Sequence, residues 1–331
     1  MAEWQTRRPQ KPLSARACGF ESRSGHQSLP QRTPAGAPSA APAGAPSAAP
    51  ALQLPSDAVP ELTVASFNTH SGIDGWGRPF DLVASCRALE ADVLVLEEVF
   101  APREAVSQAD EIAAELGYEC HELPLARSWR RLDPRSAGKG WEPRKYLAHG
   151  HKALYVGGSL SGAGRRDLGG YEEGTWGIAV LTRLPALASE AVELGKLRWD
   201  FTRRAALKVE LGALPASAQG QPEPRHLTVV GTHVAHFSHG SLLHFSRLRR
   251  RLPRTTSPAV LAGDMNLWGP PVSVLMPGWR RAVRGRTWPA GRPHSQLDHI
   301  FVTREVEVLE GEVVRSGNSD HLAVRARLSW C

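Results

Sequence analysis

The sequence has few cysteines and lacks several motifs that would assign it to a large enzyme class. Four cysteines occur in 331 residues, and none stands in a Cys-x-x-Cys pair, which argues against a zinc ribbon or a dithiol redox site. The Gly-x-Ser-x-Gly motif of serine hydrolases and the Gly-x-x-x-x-Gly-Lys phosphate loop are both absent. No run of about 18 apolar residues exists, so no membrane-spanning helix is predicted.

The chain is basic, but the excess charge is spread unevenly. The formal net charge is +7, and residues 1–57 carry +3 of it, from six Lys/Arg against three Asp/Glu. The remaining 274 residues therefore carry +4, a mild bias (7 − 3). Such a bias permits a polyanionic partner without arguing for one.

The first 57 residues have the composition of a disordered tail. They are rich in Pro, Ala, Gly, Ser and Arg, and Ala-Gly-Ala-Pro-Ser-Ala-Ala-Pro occurs twice in tandem, at 35–42 and 43–50. Such a segment has too little large apolar surface to offset the entropy lost on ordering. Residues 1–30 also lack the apolar core of a signal peptide. We predict a flexible tail at 1–57 and one folded domain at 58–331, monomeric and cytoplasmic.

Strands and helices alternate through the predicted domain. The strand candidates are apolar or alternating runs, and the helix candidates carry apolar residues on one face. The predicted strands are 62–67, 92–96, 177–182, 205–211, 227–230, 259–263, 299–302 and 323–328, and the predicted helices are 82–89, 104–116 and 242–252. Many strands with interspersed helices indicate a layered α/β domain built on sheets packed face to face.

Residues 124–172 do not fit this pattern. They contain ten Lys/Arg, few acidic residues and scattered glycines, with Trp129 and Trp141 among them. We interpret the segment as a solvated insertion, with a substrate-binding surface as the alternative.

Polar side chains stand where the apolar strands end, and these are the candidate functional residues. Six strand ends carry Asn, Asp, Glu or His: Asn68, Glu98, His233, the pair Asp264 and Asn266, Asp298, and the run Ser319-Asp320-His321. Gly263-Asp264-Met265-Asn266 by itself is also good turn chemistry. Six such endings together are typical of an assembled metal site, and oxygen ligands of this kind suit Mg²⁺ or Mn²⁺.

The same residues carry a resemblance to a known family. In order, "SFNTHSG", "VLVLEEV", "GTHVAH", "GDMN", "QLDHIFV" and "NSDHLAV" resemble the endonuclease/exonuclease/phosphatase superfamily. That group includes pancreatic deoxyribonuclease, abasic-site endonucleases, neutral sphingomyelinases and inositol-phosphate phosphatases. The resemblance covers about residues 62–328. It implies a four-layer α/β sandwich, two mostly antiparallel sheets flanked by helices, and metal-dependent hydrolysis of phosphoester bonds.

The resemblance also implies a metal site. Glu98 matches the main metal-binding glutamate, Asn68 the asparagine beside it, and Asp320 a carboxylate on the metal side. The family usually has Gln-Glu where this chain has Glu97-Glu98, so the ligand role is assigned to Glu98.

The remaining matches imply catalytic roles around the phosphate. Asp264 and Asn266 match the pair that orients the attacking water and contacts the phosphate, and Asp298 and His321 match an Asp–His pair. His233 matches a histidine of the deoxyribonuclease and sphingomyelinase branches that abasic-site enzymes lack.

Two other residues have less defined positions. Arg204 is a candidate for a family arginine near the phosphate. The sequence gives no role to His70, which lies in the loop after the first strand.

Three functions remain open from the sequence. The first is a Mg²⁺-dependent phosphodiesterase or nuclease acting on DNA or RNA, which the constellation and the basic segment at 124–172 favour. The second is a phosphatase or phospholipase-type enzyme on a small or lipid phosphoester, which His233 favours; no apolar membrane-docking hairpin is evident. The third is a binding protein on a decayed enzyme fold, which predicts missing ligands, and none is missing.

Overall fold

The computed structural model describes residues 61–74, 77–131, 154–156, 171–198, 200, 202–212, 226–236, 240–252 and 258–330. The predicted tail at 1–57 and the larger part of the basic segment at 124–172 lie outside these ranges.

The described residues form thirteen strands in two sheets. The strands are β1 (Glu61–Asn68), β2 (Val93–Pro102), β3 (Glu119–Arg131), β4 (Leu154–Val156), β5 (Tyr171–Thr182), β6 (Ala186–Lys196), β7 (Arg203–Leu211), β8 (Leu227–His233), β9 (Ala259–Asp264), β10 (Arg280–Arg281), β11 (Asp298–Val302), β12 (Val306–Val314) and β13 (Ala323–Trp330). Sheet I has the order β12-β13-β1-β2-β5-β3-β4, and sheet II has the order β10-β11-β9-β8-β7-β6.

Alternation along the strands determines which face of each sheet is buried against the other. In β2, Val93 and Val95 join an interior cluster with residues of sheet II such as Val229 and Ile300. The intervening Leu94 and Leu96 belong to a second cluster on the outer face of sheet I. Side chains on a strand point alternately to opposite faces, so a continuous apolar run is the sequence of a strand covered on both sides.

Helices cover the outer face of each sheet. They are α1 (Leu82–Arg87), α2 (Gln108–Leu116), α3 (Leu242–Arg251) and α4 (Gly269–Leu275). Apolar residues of α1 and α2 pack against sheet I, whereas Phe245 and Leu248 of α3 and Val272 of α4 pack against sheet II. The layers are therefore helix, sheet, sheet, helix, which confirms the predicted four-layer α/β sandwich.

Each sheet contains one parallel pair among otherwise antiparallel neighbours. In sheet I the pair is β1 with β2, and in sheet II it is β8 with β9. The carboxyl-terminal ends of parallel neighbours lie on the same side of a sheet. These two pairs therefore bring the ends of β1 and β2 to one side of sheet I, and the ends of β8 and β9 to one side of sheet II.

The prediction of an irregular segment at 124–172 was wrong at its beginning, at residues 154–156, and at its end, where residues 171–172 begin β5. Residues 124–131 continue β3, which pairs along its length with β5, and residues 154–156 form β4. Two of the basic residues are ion-paired across this ladder, Arg127 with Glu173 and Arg130 with Glu172. Charged side chains on a sheet surface concealed the strand from a hydrophobicity-based prediction.

Two further differences have local causes. The helix predicted at 104–116 begins at Gln108, because the Ser107 hydroxyl caps it by accepting a hydrogen bond from the Asp110 amide at 3.0 Å. Strand β6 was not predicted, because it is an edge strand whose first six residues are exposed or half-exposed. None of the helices in the described ranges has the length and apolar character needed to cross a bilayer.

The interior between the sheets is predicted to dominate stability. Ile178→Ala removes a fully buried side chain from that interior, and we expect the free energy of unfolding to fall by about 2–5 kcal/mol. Val274→Ala, at a side chain that is 78% exposed, is the matched control and should cost less than about 0.5 kcal/mol. Urea denaturation followed by circular dichroism measures both; equal losses would contradict the assignment of the core.

Candidate active site

Three of the candidate residues lie side by side at one edge of sheet II. His233 is the last residue of β8, Asp264 is the last residue of β9, and the two are paired in the parallel register. Asp298, the first residue of β11, lies opposite Asp264 in the antiparallel register. All three side chains are buried. The alternative interpretation of Gly263–Asn266 as a plain turn therefore does not account for Asp264, which is still part of a strand.

The glycine before Asp264 allows β9 to approach its neighbour closely. Gly263 has φ of 147°, and a Cβ at this position would overlap the backbone carbonyl oxygen of Thr232 in β8. Beyond the strand, Asn266 adopts φ of 49°, and its backbone amide donates to Asp264 Oδ1 at 2.9 Å. This Asx-type turn directs the carboxylate and the carboxamide to the same edge.

Asn68 connects sheet I to Asp264. Asn68 is the last residue of β1, and its Nδ2 donates to Asp264 Oδ2 at 3.1 Å and to Glu98 Oε1 at 3.3 Å. Its Oδ1 accepts from the backbone amide of His70 at 3.0 Å, which fixes the orientation of the carboxamide. The nitrogen of Asn68 therefore faces two carboxylates that belong to different sheets.

Glu98 reaches the site from a bulge within β2 and not from the end of a strand. The expectation that the strand ends in Glu97-Glu98 was wrong, since β2 runs on to Pro102. The register with β5 shifts between Glu97 and Val99, and Glu98 has φ of 56°. A bulge re-aims side chains, and here it lets two consecutive glutamates lie near one site.

Glu97 lies fully buried behind the site. Its Oε1 accepts from the Ser66 hydroxyl at 3.0 Å, and its Oε2 has no hydrogen-bond partner among the described residues. Burial, followed by the nearby carboxylates of Asp298 and Asp264, raises the pKa of Glu97 well above its ordinary value. This raised pKa favours the protonated form of Glu97, which carries one donor and one acceptor as a Gln side chain does.

His321 and Asp298 form a buried pair that crosses between the sheets. His321 precedes β13 of sheet I, and its Nδ1 lies 3.1 and 2.9 Å from the two carboxylate oxygens of Asp298 in sheet II. Its Nε2 is 3.8 Å from Asp264 Oδ2. Burial alone would lower the pKa of His321, but Asp298, Asp264 and Asp320 outweigh it and raise the pKa well above its ordinary value. His321 is accordingly an imidazolium.

Asp320 is held beside His321 by the segment that precedes β11. The indole Nε1 of Trp288 donates to Asp320 Oδ2 at 3.3 Å, and the backbone amide of Ala290 donates to the Asp320 carbonyl at 2.7 Å. Ser319 anchors the same run to β1, because its hydroxyl donates to the Asn68 carbonyl at 2.7 Å.

His233 differs from His321 in charge. Burial, and then the positive charges of Arg204 and His321, lower the pKa of His233 well below its ordinary value, so the ring is neutral. Its Nε2 is 3.2 Å from Asn266 Nδ2, which places the amide as donor and the imidazole nitrogen as acceptor. The same Nε2 lies 3.5 Å from Asp264 Oδ2. Two histidines with pKa values shifted in opposite directions, His233 and His321, therefore flank the Asp264 carboxylate.

Arg204 supports His233 from behind. Its guanidinium pairs with Asp200, donates to the His233 carbonyl at 3.4 Å and lies over the ring of Trp176. Trp176 in turn contacts the His233 ring, at a centroid distance of 5.0 Å. In this arrangement Arg204 is committed to neighbouring side chains of the protein.

No role for His70 follows from the sequence, yet the structure places this residue beside the site. His70 and Ser71 both adopt positive φ, 44° and 57°, and the His70 Nδ1 lies 2.8 Å from the Ile73 carbonyl. The turn is braced by Gln108 and Arg130, which both donate to the Ser71 carbonyl. Burial would lower the pKa of His70, but Asp320 and Glu98 raise it. The spacing Asn68-Thr69-His70 was the available signal, since it sets His70 two residues beyond a site residue.

The cluster of buried acids fits a divalent cation. Burial raises the pKa of Asp264 to about 7, and Asp298 and Glu98 add to the rise while His321 opposes it. Ligand atoms of Asp264, Asp298 and His321 lie within 4.8 Å of one another. His321 is nonetheless a poor ligand because it is protonated, whereas the carboxylates are hard oxygen donors of the kind that Mg²⁺ takes. A cation among these acids would relieve their mutual repulsion.

A family model that matches most of the chain identifies the family. The model of the Endonuclease/Exonuclease/phosphatase family matches residues 65–321, a range that includes every candidate site residue. The chain belongs to this family. Members of the family generally hydrolyse phosphoester bonds and typically depend on a divalent metal. No curated protein matches the sequence.

Solved structures agree with this fold. An endonuclease/exonuclease/phosphatase from Beutenbergia cavernae is similar with 22% identity and a TM-score of 0.53, over 82% of this chain and 72% of that one. A family protein from Leptotrichia buccalis is 15% identical, with a TM-score of 0.53 over 81% of this chain and 100% of its own. One from Bacteroides vulgatus is 16% identical, with a TM-score of 0.52, and covers 82% and 100%. At these identities the likeness concerns the fold.

Asp264 should make the metal-free protein less stable as the pH rises. Because its pKa is raised from 3.8 to about 7, the native state binds this proton more tightly than the unfolded chain. Its contribution to stability is therefore present at low pH and lost as the pH rises through that window. Between pH 5 and pH 8 in EDTA, the parent should lose on the order of 1–3 kcal/mol more than Asp264→Asn.

Urea denaturation at the two pH values measures this difference. Glu307→Gln, which removes an exposed carboxylate at the second residue of β12, is the control and should behave as the parent does. Equal pH dependence in the parent and in Asp264→Asn would show that Asp264 does not carry the raised pKa.

Proposed function

We propose that this protein is a Mg²⁺-dependent phosphodiesterase, with Mn²⁺ as an alternative cation, and that its substrate is nucleic acid. The observation that carries the proposal is the position of Asp264. This carboxylate lies between the Asn68 amide, the Asn266 backbone amide and the His321 imidazolium, with a pKa near neutrality. A carboxylate poised in this way is suited to accept a proton from water at physiological pH.

Glu98 and Asp320 would hold the metal, with Asn68 beside them through its hydrogen bond to Glu98. When bound, the cation would supply Lewis-acid stabilisation of the negative charge on the phosphate oxygens. The acidic character of this side of the site supports the assignment, since the carboxylates of Glu98 and Asp320 both raise the pKa of His70.

The reaction then divides between the remaining side chains. Asp264 accepts a proton as water attacks phosphorus, and the bond between phosphorus and the leaving oxygen breaks. His321, held as an imidazolium by Asp298, donates its proton to the leaving oxygen, so that a phosphomonoester and an alcohol result. Asn266 donates to the phosphate or the water, and neutral His233 holds its carboxamide through Nε2. Arg204 positions His233 from behind.

Hydrolysis of plasmid, single-stranded DNA and RNA with Mg²⁺ or with EDTA tests the proposal. We expect EDTA to abolish activity and Mg²⁺ to restore it. Asp264→Ala should lower the rate about 10²–10³-fold, since it removes a group that acts in the transition state. Glu98→Gln should raise the Mg²⁺ concentration needed for half-maximal rate by about 10-fold or more. Glu307→Gln should match the parent. Full Mg²⁺-dependent activity of Asp264→Ala would show that the site is elsewhere.

A lipid or small phosphoester is the second candidate substrate, and exposed apolar side chains favour it. Leu242 and Leu243 are 48% and 56% exposed in the first turn of α3, which follows the loop after His233. Trp268 is 49% exposed two residues beyond Asn266. Both sets lie where the chain leaves site strands, so an apolar group joined to a phosphate would find contacts there.

A substrate screen distinguishes the two candidates. Nucleic acids are compared with sphingomyelin, inositol phosphates, p-nitrophenyl phosphate and bis-p-nitrophenyl phosphate under the same Mg²⁺ conditions. If Leu242→Ser/Leu243→Ser lowers activity on sphingomyelin vesicles and nucleic acids are not cleaved, the lipid candidate replaces the first. If nucleic acids are cleaved and vesicles are not, the lipid candidate fails.

A further inference from the structure

The segment between Met265 and Leu297 combines arginines and tryptophans with an absence of acids. It contains five arginines (Arg280, Arg281, Arg284, Arg286 and Arg292), three tryptophans and no Asp or Glu. The mild net charge of the whole chain conceals this concentration. Cationic side chains interleaved with aromatic rings are the usual composition of a surface that binds single-stranded nucleic acid.

Part of this segment is built against the active site. Trp288 donates to Asp320, the amide of Leu322 donates to the Thr287 carbonyl at 2.8 Å, and the Thr287 hydroxyl accepts from the amide of Asp298 at 3.2 Å. Residues 287–290 therefore touch the chain on either side of His321 and at Asp298. They form the wall of the site on its Asp320 side.

The wall is an ordered structure with its own hydrogen bonds. The amides of Thr287 and Trp288 both donate to the Ser295 carbonyl, at 2.8 and 2.9 Å, and those of His294 and Ser295 donate to the Trp288 carbonyl, both at 3.0 Å. The His294 ring meets the Trp288 ring edge-on, at a centroid distance of 5.3 Å. The backbone from which the exposed side chains of this loop project is therefore held by hydrogen bonds.

Three exposed arginines project from the wall region. Arg286 and Arg292 flank the Trp288 turn, and Arg315 is tied to it, since its guanidinium donates to the Ala290 carbonyl at 2.7 Å. None of the ion pairs formed within the described ranges includes these three arginines. By contrast, Arg127 and Arg130 on β3 are each neutralised by a glutamate. Among the residues that the structure describes, uncompensated positive charge near the site is thus found on this wall.

We infer that this wall, with Arg286, Trp288, Arg292, His294 and Arg315, binds the strand that flanks the scissile phosphate in a single-stranded nucleic acid. Arginines would contact successive phosphates, and the aromatic pair would stack on an unpaired base. The inference rests on the proposed function and names the face of the site along which the substrate runs.

Binding and catalysis are measured separately to test it. Fluorescence anisotropy of a fluorescein-labelled twelve-nucleotide oligo-dT in EDTA reports binding without cleavage. Arg286→Gln/Arg292→Gln removes two wall charges, and Arg249→Gln/Arg250→Gln removes two exposed charges from α3 as the matched control. We expect the wall variant to bind on the order of 10-fold more weakly, and its dependence of log affinity on log salt to fall by about 1, with no change in the control.

His294→Ala tests the aromatic contact. This variant should weaken binding of single-stranded oligo-dT by about 5-fold or more and leave binding of a twelve-base-pair duplex unchanged, because paired bases cannot stack on the wall. Equal weakening with both probes would overturn the stacking contact.

Turnover of bis-p-nitrophenyl phosphate with Mg²⁺ separates this inference from the proposed function. The small diester lacks the flanking phosphates and bases that the wall would bind, so both double variants should hydrolyse it at the parent's rate. If the parent cleaves and binds oligonucleotides but the wall variant equals the control, the inference fails and the proposed function stands. If the parent hydrolyses the small diester and neither binds nor cleaves nucleic acid, the nucleic-acid substrate and the inference both fail.

Discussion

Two side-chain hydrogen bonds between the two halves of the sandwich hold the candidate active site together. Asn68 of sheet I donates to Asp264 of sheet II, and His321, which precedes β13 of sheet I, is bonded to Asp298 of sheet II. Both carboxylates belong to sheet II, and both donors come from sheet I or the segment that leads into it. A buried charge without a partner is costly, so the acids of sheet II depend on donors from the sheet I side. The apolar interior between the sheets supplies the packing that keeps these partners in contact.

The environment divides chemically similar groups into different charge states. The pKa of Glu97 is raised well above its ordinary value and that of Asp264 to about 7, while the pKa of His321 is raised and that of His233 is lowered. Their separate neighbours account for the difference: carboxylates surround His321, whereas an arginine and an imidazolium act on His233. Acid and base functions follow from such pairs of groups with divergent pKa values.

The sequence was sufficient to predict the layers, and it also indicated most of the candidate residues that the structure brings together, because both depend on local pattern. Apolar runs located the central strands, and polar residues at their ends located Asn68, His233 and Asp264. Features that depend on partners were not accessible in this way. Strand β3 has charged side chains on the sheet surface, although it is paired with a neighbouring strand. Strand β6 is an exposed edge strand. His70 reaches the site only because a turn of two left-handed residues is held by Gln108 and Arg130. A single sequence does not show which distant side chains supply that support.

The bulge at Glu98 makes β2 unusually sensitive to length. Side chains alternate along a strand, so loss of one residue between Glu97 and Val99 would restore a regular ladder with β5 and turn the remaining glutamate toward one fixed face. The strand would still pair, the core would still close, and the layers would survive. The chain would lose only the arrangement in which one of two adjacent acids, Glu97 and Glu98, is buried and the other faces the cleft. A deletion at the bulge would therefore remove one acid from the cleft while β2 keeps its pairing with β5.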